Sequence, residues 1–336
     1  MNNVIIVPKK KLPTSYLERQ IFIDGYFQGH QPVILSEDND NLKIYLQTPK
    51  ARDFYIEDLS NGLKWWDSNI TLMDIPFSFK MGQHGLITLL DSWSLLSWSR
   101  WLSSPANTQH KEIILLHLDD HQDLMSPKVG FNNGLYYDFI TNKQINFNDQ
   151  NSVINSILSG SIGIGSMITP LVYMVNKIHI FHWKQTINKQ LKHGGYRLSK
   201  KFITEPILCD STSRISIELL KENDINITNN SSYFLSSSIE EIIEKLPKNI
   251  PIFLHVDMDF FNNRYNGSSN WEENFDKHDP GIEEQQVIMR KFFETLSAYD
   301  LISRITNTAI AISPGFYPVE YWKLGMDSLI KEAIQH

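Results

Sequence analysis

A chain of 336 residues with 41% hydrophobic and 12% aromatic content can fill a large core, and no shift in composition divides it. One domain over residues 1–336 is expected, with 1–80 as an N-terminal elaboration whose elements are not legible. The 31 Lys and Arg against 38 Asp and Glu leave a net charge of -7, which excludes the basic excess that draws proteins to nucleic acid. The single cysteine, Cys209, excludes an internal disulfide framework and fits a reducing, cytoplasmic setting.

In chain order, the N-terminus places Lys9, Lys10 and Lys11 after a short apolar run, the reverse of a secretory signal. Residues 86–102 read as a stretch of helical character, preceded by Gly82-Gln83-His84-Gly85, an imidazole between glycines. Apolar runs rich in β-branched residues at 113–118, 178–183, 252–256 and 308–312 read as buried strands of a parallel sheet. Helices are predicted over 239–246, 282–298 and 321–334, and loops over 130–134, 226–238 and 262–270. Strands alternating with helices indicate a layered α/β fold. Residues 151–176 carry no charge and are long enough to span a bilayer, but Gly160, Gly163, Gly165 and Pro170 argue against a membrane segment. Within them, 161–166 read as a packed turn bordering a pocket, since the Walker lysine of a phosphate loop is missing.

Two segments carry chemistry. The first apolar run ends in Asp119-Asp120-His121-Gln122-Asp123, and the third ends in Asp257-Met258-Asp259. Open α/β sheets bind ligands at the carboxyl ends of their strands, and alternate residues of an extended segment share a face. Carboxylates in so apolar a setting are costly without a counter-charge, which a divalent cation supplies. His117 and His255 precede the acids in matching positions and are expected to support the ligands from behind or to pack in the core. His278-Asp279-Pro280-Gly281 precedes the helix at 282, with Asp279 expected to cap it and His278 the one candidate for proton transfer.

Asp119-Asp120-His121-Gln122-Asp123 resembles the Asp-x-His-x-Asp signature of the ureohydrolase (arginase and agmatinase) superfamily. Asp257-Met258-Asp259 resembles its Asp-x-Asp signature, and Gly82-Gln83-His84-Gly85 its Gly-Gly-Asp-His segment. The wording His255-Val256-Asp257-Met258-Asp259-Phe260-Phe261 and the late Ser313-Pro314-Gly315-Phe316 are closer to an outlying arginase-like family. That family includes bacterial peptide arginases, which convert arginine side chains of ribosomally made precursor peptides to ornithine. The resemblance implies a three-layer α/β/α arginase-like fold with a mainly parallel, roughly eight-stranded sheet, two Mn2+ per chain, and urea as product. It further implies that His84 and Asp123 serve one manganese, His121 and Asp259 the other, and that Asp119 and Asp257 bridge both.

Two departures bear on the substrate. Where ureohydrolases commonly carry a Glu beside the last strand, this chain has Ala311-Ile312-Ser313-Pro314, so Asp276, Asp279, Glu283 and Glu320 become the candidates for holding a guanidinium. Residues 124–137 lack the pattern with which free-arginine enzymes meet the amino-acid end, so an Arg-containing precursor peptide is the expected partner. The alternatives are a mononuclear zinc hydrolase of deacetylase type and a catalytically inactive, metal-stabilised binding protein.

Overall fold

Short strands dominate the computed structural model, which describes residues 4–27, 30–47, 57–83, 85–110, 112–186, 192–210, 212–221, 230–268, 270–273 and 277–335. Strands β1 (Ile5–Pro8), β2 (Gln31–Glu37) and β3 (Asn41–Gln47) form a small antiparallel sheet in the order β1-β3-β2, with helix α1 (Tyr16–Tyr26) between the first two. Strand alternation sends Ile5 and Val7 inward. There they meet Ile23, Phe27, Leu42 and Ile44, together with Ile140 and Ile207 from the rest of the chain. Residues 57–80, expected to belong to the same elaboration, join the main body instead. Helix α2 (Leu59–Trp66) packs Gly62 so close to the Trp322 ring that a Cβ there would lie 2.8 Å from it.

The main sheet takes in β4 (Phe79–Met81), β5 (Gly85–Thr88), β6 (Glu112–Leu118), β7 (Val129–Asn132), β8 (Leu135–Asp138) and β9 (Gln144–Ile145). It continues with β10 (Lys177–Trp183), β11 (Gly194–Thr204), β12 (Ser213–Lys221), β13 (Ser232–Ser236), β14 (Ile252–Asp257) and β15 (Ile305–Ala311). The order is β4-β5-β15-β14-β6-β10-β13-β11-β12-β7-β8-β9. This corrects the expected fold. The sheet is mixed and has twelve strands, not a mainly parallel, roughly eight-stranded sheet of an arginase-like α/β/α sandwich. Over both sheets, among the described residues, five pairings are parallel and eight antiparallel. The physical reason is that strands buried on both faces advertise themselves as apolar runs, whereas half-exposed strands such as β11 and β12 read as polar and mixed.

The parallel pairings run from β5 through β15, β14, β6 and β10 to β13. Helices α6 (Ile239–Lys245), α7 (Ile282–Ala298) and α8 (Trp322–Gln335) agree with their predicted positions. The predicted helix over 86–102 does not form as such. Its first residues pair as β5 because Gly85 lies against the Thr308 backbone, where a Cβ would collide with the carbonyl. A 3-10 turn at Asp91–Trp93 and helix α3 (Ser94–Ser103) follow. The predicted loop at 130–134 is the tip of the β7-β8 hairpin, a two-residue Asn133-Gly134 turn with both φ positive, at 51° and 82°. The predicted loop at 226–238 contains β13. Residues 151–176 hold two short helices, α4 (Gln150–Leu158) and α5 (Ile168–Met174). Among the described residues no helix is long and apolar enough to cross a membrane.

Candidate metal centre

Register across the parallel strands aligns three histidines in a row: His182 on β10 pairs with His117 on β6, which pairs with His255 on β14. Their rings are buried and lie side by side, tilted with centroids 4.6 Å apart for His182 and His117 and stacked at 5.0 Å for His117 and His255. Burial pushes His117 well below its ordinary range and takes His182 and His255 down to about 3, so all three are neutral. Their protons follow from the bonding. His117 Nε2 meets the His121 carbonyl at 3.1 Å, an acceptor only, so that nitrogen carries the proton. Its bare Nδ1 then accepts from His255 Nδ1 at 2.9 Å, and His255 is left with an unprotonated, buried Nε2 that has no partner.

Two residues beyond this row, on the same side of the sheet, come Asp119 and Asp257. The segment after β6 is not extended, as the spacing had suggested. The Asp119 side chain accepts the His121 amide at 2.6 Å, and the chain turns back through Asp123 at a φ of 53°. A similar turn follows β14, where Asp257 accepts the Asp259 amide at 3.1 Å within the 3-10 turn Met258–Phe260. The acids are brought together by these turns rather than by strand alternation. One donor atom from each of His117, Asp119, Asp123 and His255 lies within 4.8 Å of all the others, and the same holds for Asp119, His121 and Asp259. Asp119 belongs to both groups. Asp257 stands beside them, held by the Ser313 hydroxyl at 2.6 Å.

The electrostatics are those of crowded anions. Burial, then Asp259 and Asp257, pushes the Asp119 carboxyl well above the usual range, while burial and Asp119 do the same to Asp123. Burial and Asp259 likewise raise Asp257. Asp259 goes the other way, because His121 at 2.8 Å outweighs the effect of burial. His121 in turn is pushed up to about 10; burial opposes its charge, but Asp259 prevails. It is also the ligand candidate nearest the surface, with its side chain 38% exposed and Phe316 edge-on to its ring. Asp120 points elsewhere, to Lys184 at 2.7 Å and Asn263 at 2.8 Å, and so pins the turn.

Of the remaining predicted site residues, His84 and Asp276 lie outside the described residues. Asp279 and Glu320, offered to a substrate guanidinium, hold the chain's own Arg264 at 2.9 and 2.6 Å. Asp279 therefore does not cap α7, whose N-cap is Gly281 without a side-chain bond. Glu283 is exposed in the first turn of that helix. His278 accepts the Asn263 amide through its carbonyl, while its ring Nε2 is buried and unpaired beside a cleft of about 580 Å3. Arg264, Lys184 and His182, whose Nε2 meets the Asp119 carbonyl at 2.9 Å, went unnoticed in the sequence, as did Asp91. Asp91 had a signal: Leu89-Leu90-Asp91 ends an apolar strand in an acid, as Leu118-Asp119 does, but reading 86–102 as one helix hid it.

Buried polar atoms normally find partners. Here Asp119 Oδ2, Asp123 Oδ2 and His255 Nε2 have none, and neutral imidazoles among carboxylates form a donor set suited to a divalent cation. These buried His and Asp groups could hold a metal ion. The chain matches no family model and no curated protein.

Proposed function

We propose that this chain is a metal-dependent hydrolase that converts arginine side chains of a ribosomally made precursor peptide to ornithine, releasing urea, with two Mn2+ per chain and in the cytoplasm. The observation that carries it is the set of buried, unpaired donors on Asp119, Asp123 and His255 at the ends of adjacent parallel strands. The choice of substrate rests on the resemblance of the two acidic motifs to ureohydrolases; the mixed sheet adds nothing to it.

Asp119, His121, Asp123 and Asp259 would hold the ions, with His255 at the first group, His117 behind it with both ring nitrogens bonded, and Asp257 beside them. Bound there, divalent cations supply a water that is nucleophilic at neutral pH. In the overall reaction, water adds its oxygen to the guanidinium carbon and the bond from that carbon to the chain nitrogen breaks. That nitrogen leaves protonated as the ornithine amine. The protein's part is to orient Asp257 through Ser313, to exclude water behind the histidine row, and to open the centre at His121 and Phe316. Asp279 and Glu320 are engaged with Arg264, so of the described candidates Glu283 is the acid left for the substrate guanidinium.

Mass spectrometry of an arginine-containing peptide incubated with Mn2+-loaded protein tests this. Each converted residue loses its amidino carbon with two nitrogens and one equivalent of urea appears. An unchanged peptide at full metal loading refutes the substrate. A second reading, a single Zn2+, is favoured by the first group, which sets one imidazole with a free nitrogen, His255, beside two carboxylates, three ligands of the kind zinc takes together with a water. Metal analysis separates the two by count and by element.

A further inference from the structure

We infer that Asp91 is a further metal-binding carboxylate of the same centre, outside both acidic motifs. The inference rests on the reading that the cluster holds a divalent ion. Strand β5 delivers Asp91 to the correct end of the sheet: Thr88 pairs with Ala311, and Ala311 with Asp257. Just beyond, the Leu89 carbonyl accepts the Ser313 amide at 3.0 Å, and the hydroxyl of that serine is the one bonded to Asp257. The chain leaving β5 therefore runs alongside the acids. Helix α3, which begins three residues after Asp91, lies over the correct face. Its Trp98 ring meets His255 edge-on at 5.7 Å, and the side of His255 is also the side of His117, Asp119 and Asp257.

Asp91 itself is 3% exposed. Its Oδ2 accepts the Gly165 amide at 2.7 Å, while its Oδ1 is buried without a partner. Gly165 also adjoins Asp123, since a Cβ on it would lie 3.7 Å from Asp123 Oδ1. Its backbone thus stands between the two carboxylates and fixes one oxygen of Asp91, leaving the other open. Among the described residues no Lys, Arg or His pairs with Asp91. A buried, unpaired carboxylate next to other acids is a poor structural choice and a good ligand. A plain bracing role for Gly165 would need only a neutral acceptor.

The test compares wild type with Asp91→Asn, whose amide oxygen can still accept the Gly165 amide. Mn2+ affinity and stoichiometry are measured by calorimetry and elemental analysis, and melting of the metal-stripped proteins is followed in parallel. Asp91→Asn should lose affinity by about tenfold to a hundredfold, or lose one equivalent of metal. Its metal-free melting temperature should hold or rise, because one anion is gone. Unchanged Mn2+ binding overturns the proposal, and so does a fall in metal-free melting with affinity retained, which marks a brace. If Asp91→Asn does not fold, Asp91→Ser, which keeps a hydroxyl acceptor, carries the same comparison. Wild-type protein that binds neither Mn2+ nor Zn2+ would refute the metal reading itself, a result distinct from the others.

Discussion

At the mouth of the centre one imidazole, His121, meets water, while the carboxylates behind it are buried. Crowding makes each buried acid a burden on the metal-free protein and an asset to the loaded one. Asp119→Asn should therefore leave the stripped protein at least as stable, yet weaken Mn2+ binding more than about tenfold and abolish urea release. Calorimetry and melting on one sample check both signs. Ser313 makes a subtler case. It bonds Asp257 while sitting at a φ of 55°, where a side chain costs about 1–2 kcal/mol relative to glycine. Ser313→Ala loses the bond and keeps the strain, at about 1–3 kcal/mol. Ser313→Gly loses the same bond but relieves the backbone, and should melt above Ser313→Ala. The reverse order would mean that the backbone there is not strained.

Strands β6, β10 and β14 were legible because burial on both faces demands unbroken apolar runs, and α6, α7 and α8 because amphipathic spacing survives on a helix with one wet face. The acids of the centre were legible as motifs, though not their geometry, since the turn through Asp123 depends on bonds that no spacing encodes. What could not be read were elements whose reason lies in distant contacts. Strand β5 forms because Gly85 can press against Thr308, more than two hundred positions away. Gly85→Ala should push β5 off β15, costing about 1–3 kcal/mol in urea denaturation. Because β5 leads into Asp91, it should weaken metal binding as well. A stable variant with intact binding would show that β15 yields without consequence.

The small N-terminal sheet is joined to the rest through polar contacts as well as Ile140 and Ile207. The Tyr26 hydroxyl donates to Glu205 at 2.6 Å, Arg214 lies 3.7 Å from the same carboxylate, and Lys128 rests over the Tyr26 and Phe27 rings. Burial, then Arg214, pushes the Lys128 amine from 10.5 down to about 8. Between those values the unfolded chain holds more protons than the folded one, so folding stability rises with pH across that window. Below it the buried charge costs roughly 3 kcal/mol. Lys128→Met should be more stable than wild type at pH 7 by about 1–3 kcal/mol, with the advantage shrinking to nothing above pH 10.5. A constant difference across pH would place the amine in water.

The order of strands also bears on how the molecule is built in time. The antiparallel end closes by local hairpins, such as the two-residue turn of β7 and β8, whereas β5 must find β15 across most of the chain. Long-range pairings of this kind are the slow steps of folding. With Asp91 counted among them, the candidate ligands straddle that seam: Asp91 follows β5, while Asp119 and Asp257 stand at the ends of β6 and β14 on its other side. An ion can be gripped only after the seam has closed, so its contribution is absent from the transition state. In stopped-flow experiments Mn2+ should leave the refolding rate nearly unchanged and slow unfolding by the full binding energy. The ion would then latch a structure already assembled, and the protein's lifetime would be set by how slowly the metal leaves.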